Sequence, residues 1–261
     1  MDLFNLKGKT ALITGGTHGL GMAMAEALAE AGAQIIVTGN TPEKMEKALE
    51  HYHSKGYFAK GYLFDVTDEN AAAENLEKIS KEIGDIHILV NNAGIIKREL
   101  AITMPVSDFR KVIDVDLVGP FIMSQLVAKQ MIERKEGKII NICSMMSELG
   151  RSTVSAYAAA KGGLKMLTKN LATEWAKHNI QVNGIGPGYF ATTQTEPIRV
   201  DGHPFNEFII SRTPAARWGN PEDLGGAAIF LASKASDFVN GQIIYVDGGI
   251  LATIGKPSNE D

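Results

Sequence analysis

The chain carries one cysteine, Cys143, in 261 residues. One thiol makes no internal disulfide, which excludes a disulfide-stapled secreted scaffold and points to a reducing compartment, the cytoplasm. Positive charge is also short: 26 Lys and Arg against 30 Asp and Glu leave a net charge of -4. A surface that tracks phosphates along a nucleic acid needs the opposite balance, so no nucleic-acid partner is expected. No apolar run is long enough to span a bilayer, and MDLFNLKGKT lacks a basic flank followed by a long apolar stretch. Neither a membrane segment nor a secretory signal is therefore expected. Of six histidines, only His51 and His53 stand close together, on a stretch read as an exposed helix, so no metal site is expected. No GxSxG elbow surrounds Ser144, which argues against a serine hydrolase.

What is present is an alternation. TALIT (10–14), QIIVTG (34–39), HILV (87–90), KIINIC (138–143), IQVNGI (180–185) and QIIYV (242–246) are short and rich in β-branched residues, as buried strands are. YFAKGYLFDV adds a more ambiguous strand ending near Phe64. Alanine- and charge-rich helical stretches lie between them, with Thr41 before Pro42 and Asn220 before Pro221 as expected helix caps. Buried strands alternating with helices imply a parallel sheet covered on both faces. The expectation is a single doubly wound α/β domain over residues 1–261, with a seven-stranded parallel sheet.

TGGTHGLG (14–21) follows the first strand and opens the first helix. Glycine lets backbone approach a pyrophosphate, and a helix N-terminus offers unpaired N–H groups and partial positive charge. The spacing Gly15, Gly19, Gly21 departs from the commoner GxGxxG. In NAD-binding loops an acid about 20 residues on holds the ribose hydroxyls. Here Gly39 and Asn40 stand in its place, with His18 and Lys44 as polar or cationic neighbours. NADP(H) is thus favoured, with NAD(H) as the alternative. Asp65, after the third strand, is a candidate acceptor for an adenine amino group, or a helix cap.

NNAG (91–94) follows the fourth strand, Ser144 the fifth, and Tyr157 and Lys161 stand one helical turn apart in SAYAAAKGGLKML. With TGxxxGxG at 14–21 and the pair Pro187–Gly188, the order and spacing closely resemble the short-chain dehydrogenase/reductase family over nearly the whole chain. The resemblance implies that Tyr157 is the acid/base of hydride transfer, that Lys161 tunes it and holds the nicotinamide ribose, and that Ser144 polarises the substrate oxygen. Physically, a free tyrosine is a poor base at neutral pH, and a nearby cation favours its phenolate. At about 4 Å and an effective dielectric near 20, that attraction is on the order of 4 kcal/mol before desolvation. The same resemblance implies cofactor contacts from Gly15, Thr17, His18, Gly19, Leu20 and Gly21 in the first loop, and from Asn40, Asp65 and Val66 beyond the next two strands. Further contacts are implied from Asn92, Ala93 and Gly94, from Tyr157 and Lys161, and from Pro187, Gly188, Tyr189 and Thr192. The family usually carries asparagine where this chain has Asp116. An ionised carboxylate there would partly cancel the lysine's field, whereas a protonated one would do the amide's work.

Residues 188–218 fall where such folds carry a lid. The segment is rich in threonine, charge and amide, which favours a hydroxyl-rich substrate over a steroid or acyl chain. Lys97, Arg98 and Arg151 are candidate carboxylate partners, Arg98 foremost, with Met146 at the border of the substrate site. Within the family, INICSMMSELGR, PGYFAT, RTPAARWG and LASKASDFVNG resemble the gluconate 5-dehydrogenases. That implies reversible oxidation of D-gluconate at carbon 5. Dehydrogenases of 2-dehydro-3-deoxy-D-gluconate share EWAKHNI and RWG and are the near alternative. A non-catalytic NADP(H)-sensing module is the alternative of another class. The family resemblance further implies a homotetramer built on the helices after the fourth and fifth strands.

Overall fold

Thr10–Thr14, buried at all five positions, forms β1 in the interior of the sheet. The computed structural model describes residues 2–193 and 195–255; Gln194, inside the expected lid, and the two chain ends of the expected domain lie outside them. The remaining strands are β2 (Gln34–Gly39), β3 (Ala59–Leu63), β4 (Ile88–Asn91), β5 (Gly137–Ile142), β6 (Ile180–Pro187) and β7 (Ile243–Val246). All pair in parallel in the order β3-β2-β1-β4-β5-β6-β7. The order reverses between β1 and β4, and ligands of such sheets bind at that switch point, beyond the carboxyl ends of the strands.

Successive strand residues point to opposite faces. Ala11 and Ile13 pack with α1 (Gly19–Glu30), α2 (Pro42–Ser54) and α8 (Gly225–Ala232). Leu12 packs with α3 (Glu69–Glu82), α5 (Gly119–Arg134) and α6 (Ser155–Trp175) on the other side. The remaining α-helices among the described residues are α4 (Val106–Ile113) and α7 (Pro204–Arg212). The expected single α/β domain with seven parallel strands is what forms.

Three local differences from the sequence reading bear on the site. β4 runs one residue further than expected, so Asn91 belongs to the strand and is buried, and the loop proper begins at Asn92. Between α4 and α5 the chain makes a π turn, Asp114–Val118, in which the Gly119 N–H reaches back five residues to the Asp114 carbonyl. Pro120 explains it: proline has no N–H for the carbonyl four residues back, that of Asp116, and its ring crowds that carbonyl. Thr41 precedes α2 as expected but does not cap it; its hydroxyl donates to Asn40 Oδ1 at 3.2 Å.

Candidate active site

The loop from β1 to α1 and the loop after β4 are bound into one unit by polar contacts. Thr14 Oγ1 accepts from the N–H groups of both Asn92 and Ala93 at 3.0 Å. Asn92 Nδ2 donates back to the carbonyls of Thr14 (3.0 Å) and Gly15 (3.1 Å). Tyr52, fully buried on α2, donates its hydroxyl to the Gly16 carbonyl at 2.6 Å. Two of the motif glycines are required by backbone: Gly15 (φ +65) and Gly19 (φ +58) are left-handed. A Cβ at Gly21 would lie 2.4 Å from Asn92 Nδ2, so the first helix turn can sit against this loop only without one. No side chain caps α1, and its first N–H groups and dipole face the switch point. The bare glycines and unclaimed N–H groups fit a dinucleotide pyrophosphate.

After β2 comes the exposed Asn40, and a Cβ at Gly39 before it would lie 3.0 Å from the methyl of Thr17 in the glycine loop, next to His18. His18 Nδ1 and Thr17 Oγ1 lie 3.1 Å apart. Burial, and then the Lys44 cation, push the His18 pKa below the ordinary histidine value. Asp65 is exposed; its Oδ1 accepts from the Thr67 N–H (2.9 Å) and hydroxyl (2.8 Å). The α3 cap is Asp68, not Asp65. Val66 is buried against Gly119, where a Cβ would come within 2.9 Å of its methyl.

On the facing side, α6 presents Tyr157, half-buried, with Lys161 Nζ 5.5 Å from its ring centroid. Lys161, 4% exposed, donates to the Ile142 carbonyl at 2.8 Å and stands 3.2 Å from Asp116 Oδ2. Asp116 is fully buried, and its Oδ1 accepts the Ile95 N–H at 2.7 Å. Burial pushes the Asp116 carboxyl above the ordinary aspartate value, against the pull of Lys161 and the Ile95 N–H. Burial alone would lower Lys161 as well; Asp116 first and Tyr157 next outweigh it and hold that pKa above the ordinary lysine value. The lysine is a cation in this site. Ser144, buried at the end of β5, accepts the Met146 N–H at 3.1 Å, and Ser147 ties this turn to α6 by donating to the Lys161 carbonyl at 2.8 Å. Cys143 beside it is buried, and burial raises its thiol to about 11, so it stays protonated. Met146 is half-buried beside it, whereas Met145 packs inside.

The segment 95–99 is tied at both ends, by Ile95 to Asp116 and by the Glu99 N–H to the Thr153 carbonyl at 3.0 Å. Thr153 holds φ +70, a strained conformation for a β-branched residue. The second tether joins the Arg98 segment to the Arg151 segment, and Arg98 is close enough to Arg151, Tyr189 and Tyr157 to feel their charges. Partial burial, then the Arg151 charge, lower the Arg98 pKa, while Tyr189 and Tyr157 oppose them. Arg151 lies 4.2 Å over the Phe205 ring, with Nη1 3.5 Å from the Tyr189 hydroxyl. Lys97 is not part of this group: it is exposed and turned to Asp108 at 3.7 Å.

Residues 188–218 differ from their polar reading. Tyr189 packs edge-on against Phe205 and Trp218, both centroids at 5.9 Å, so an aromatic cluster underlies the polar residues. Its first turn sits over the glycine loop, with Thr192 nearest to Gly19, 3.9 Å from where its Cβ would be. Pro187 ends β6, and Gly188 lies where a Cβ would meet the Asp247 backbone at 2.7 Å. Among the described residues no helix is long and apolar enough to cross a membrane, and no group of three or more His, Cys, Asp or Glu side chains could hold a metal.

The sequence reading missed Tyr52, Thr14 and the buried amides. Asn91 Nδ2 donates to Asn141 Oδ1 (2.8 Å) and Ser124 Oγ (2.9 Å), and Asn141 donates to Thr168 (2.9 Å). Asparagines inside the apolar runs ILVN and KIINIC were the available signal.

A parallel doubly wound sheet with this loop at its switch point, and a serine, tyrosine and lysine gathered opposite it, defines an NAD(P)-dependent oxidoreductase acting on CH–OH groups. A family model described as enoyl-(acyl carrier protein) reductase matches residues 15–251. The chain belongs to the short-chain dehydrogenase/reductase family. A 2-dehydro-3-deoxy-D-gluconate 5-dehydrogenase of Formosa agariphila is 67% identical, covering 100% of this chain and 99% of its own. A 5-keto-D-gluconate 5-reductase of Escherichia coli is 50% identical over 97% and 99%. The structure of a gluconate 5-dehydrogenase from Burkholderia cenocepacia, in complex with NADP and tartrate, superposes with a TM-score of 0.92 at 44% identity, covering 97% of this chain and 99% of that one. The protein is an NAD(P)-dependent sugar-acid dehydrogenase.

Proposed function

We propose that the protein reversibly oxidises the carbon-5 hydroxyl of 2-dehydro-3-deoxy-D-gluconate with NADP+. The observation that carries this choice is the 67% identity, end to end, to the relative named for that substrate. D-Gluconate is the second reading, favoured by the Burkholderia relative's name and by the resemblance in its sequence segments. Both are carboxylates with hydroxyl-bearing carbons, which suits Arg98, near Tyr157, and Arg151, near Arg98. NADP+ is favoured over NAD+ because Asn40, not a carboxylate, lies beyond β2, with His18 and Lys44 near one another. NADP+ when bound supplies the hydride acceptor.

The chain's own residues then have separate tasks. Gly15, Thr17, His18, Gly19, Leu20 and Gly21 hold the pyrophosphate and adjacent ribose, Asp65 and Val66 the adenine, and Asn92, Ala93 and Gly94 the backbone beside the second ribose. Pro187, Gly188, Tyr189 and Thr192 close the nicotinamide end. Ser144 Oγ donates to the reacting oxygen, and Tyr157 takes the hydroxyl proton as the carbonyl forms, returning it in reduction. Lys161, a buried cation, favours the phenolate and binds ribose hydroxyls. Residues 188–218 act as a lid with Met146 and Arg151 beneath. Exposed Val118, Phe121 and Met166 on the π turn, α5 and α6 support a homotetramer, and the single cysteine suits the cytoplasm.

Reduced-cofactor absorbance tests this, with each sugar acid paired with NADP+ and NAD+. The highest kcat/KM is expected with 2-dehydro-3-deoxy-D-gluconate and NADP+. NADPH binding without turnover of any sugar acid overturns the enzyme reading in favour of a sensor; faster turnover of D-gluconate overturns the substrate choice.

A further inference from the structure

Asp116 is the one carboxylate that the π turn drives into the site. With Pro120 breaking the helical hydrogen-bond ladder, the turn points a fully buried side chain at two different elements. Oδ1 takes the Ile95 N–H at 2.7 Å and Oδ2 meets Lys161 Nζ at 3.2 Å, with no other hydrogen-bond partner for Oδ2 among the described residues. Gly94 leaves the space: a Cβ there would come within 2.9 Å of Oδ2. The titratable and charged groups around the pair are few. Tyr157 stands one turn away on α6, Cys143 at the end of β5 stays protonated, and Arg98 lies across the site near Tyr157.

We propose that Asp116 is a positioning residue with two separable effects: its charge offsets that of Lys161 and sets the pH at which Tyr157 works as a base, and its Oδ1 anchors the 95–99 segment that carries Arg98. The proposal rests on the reading of Tyr157 as the acid/base. Burying a carboxylate beside a lysine is costly unless both are paired, and here each has the other and one backbone group: Ile142 carbonyl for the cation, Ile95 N–H for the anion. An anion this close weakens the cation's pull on the phenolate. The wild-type site therefore needs a higher pH to free the base than the same site with a neutral residue.

Two substitutions separate the effects. Asp116→Asn keeps an oxygen for the Ile95 N–H and removes the charge. Its pH profile of kcat/KM for oxidation is expected to move toward acid by about one unit, the scale of one nearby charge, with the sugar-acid KM unchanged. Asp116→Ala removes the charge and the anchor, and is expected to show the same acid displacement plus an increase of about tenfold in sugar-acid KM, the scale of a charge-assisted contact misplaced. The second readout needs no turnover: tyrosinate absorbance of the protein, taken as the difference from the matching Tyr157→Phe protein, is expected to rise at lower pH in Asp116→Asn. If the proposed substrate is wrong, this optical titration still reports on Asp116. Superimposable optical titrations for wild type and Asp116→Asn overturn the charge effect. An unchanged sugar-acid KM in Asp116→Ala overturns the anchor. Should Asp116→Asn not fold, the carboxyl carbon resonance of Asp116 in the wild type decides: an ionised carboxylate at neutral pH supports the proposal, and a protonated one overturns it.

Discussion

The two halves of the site are held by different kinds of force. Around the glycine loop, part-buried hydrogen bonds of the Thr14 and Asn92 side chains tie one backbone segment to the other, and the buried Tyr52 hydroxyl holds Gly16. Across the site, residues 188–218 rest on the aromatic faces of Tyr189, Phe205 and Trp218, and the arginines reach in from exposed or half-buried positions. Two guanidinium nitrogens of that half, Arg199 Nε and Arg212 Nη1, are buried with no hydrogen-bond partner among the described residues. Side chains bonded to backbone groups fix the main chain of the loop, which suits a ligand part common to many enzymes, the pyrophosphate. Contacts between side chains are more easily replaced, which suits the part that differs, the sugar acid. Changes in the first half should therefore alter cofactor affinity alone, and changes in the arginines of the second half sugar-acid affinity alone.

Tyr157 stands between the halves and gives the largest expected effect. Tyr157→Phe is expected to lower kcat about 1,000-fold, within the range for removing a general acid/base, while dissociation constants for NADPH and sugar acid stay within twofold. Stopped-flow single turnovers and NADPH fluorescence separate the two quantities. Gly21→Ala comes next. Its Cβ would crowd Asn92 Nδ2 and the Gly15 carbonyl, at 2.4 and 2.5 Å. Overpacking costs about 1–3 kcal/mol, so NADPH affinity is expected to fall up to about 100-fold, by calorimetric titration, with sugar-acid KM unchanged at saturating cofactor. A matched loss in sugar-acid affinity would break the division between the halves.

Arg98→Ala tests the other half. Losing one charge-assisted contact costs about 1.5 kcal/mol, so the sugar-acid KM is expected to rise about tenfold with NADP+ KM unchanged. A neutral polyol that lacks the carboxylate should be turned over equally by wild type and variant. Equal losses for acid and polyol would remove Arg98 from carboxylate recognition.

How far the sequence revealed all this depends on the range of the interaction. The strands, their parallel pairing and the single domain follow from local patterns, since a buried parallel strand is a short apolar run wherever it occurs. Tyr157, Lys161, Ser144 and the glycines stood in recognisable order. The π turn did not show, because it depends on Pro120 withholding an N–H from a carbonyl whose own side chain, Asp116, is the one that matters. Asn91 looks like loop in the sequence because the strand's last residue is polar; its partners Asn141 and Ser124 lie 50 and 33 residues away. Nor did Tyr52 announce itself: on α2 it reads as one more apolar residue of a helix face, and Gly16 is 36 residues back. The polar composition of 188–218 concealed its aromatic underside because three rings spread along the chain make no local pattern.

Tyr52 offers the smallest and most selective test. Tyr52→Phe removes one oxygen and leaves the ring, which belongs to the core cluster that includes residues of α1 and β2. A single neutral hydrogen bond contributes about 1 kcal/mol, and for a chain of this size that lowers the melting temperature by about 2–4 °C. If the bond also fixes the loop, NADP+ KM rises a few-fold while kcat and sugar-acid KM hold, because the freed Gly16 carbonyl lets the loop relax away from the pyrophosphate. A packing role alone would lower the melting temperature and leave NADP+ KM where it was. The split between those two outcomes decides whether the rigid half of the site is held from beneath as well as from the side by Asn92.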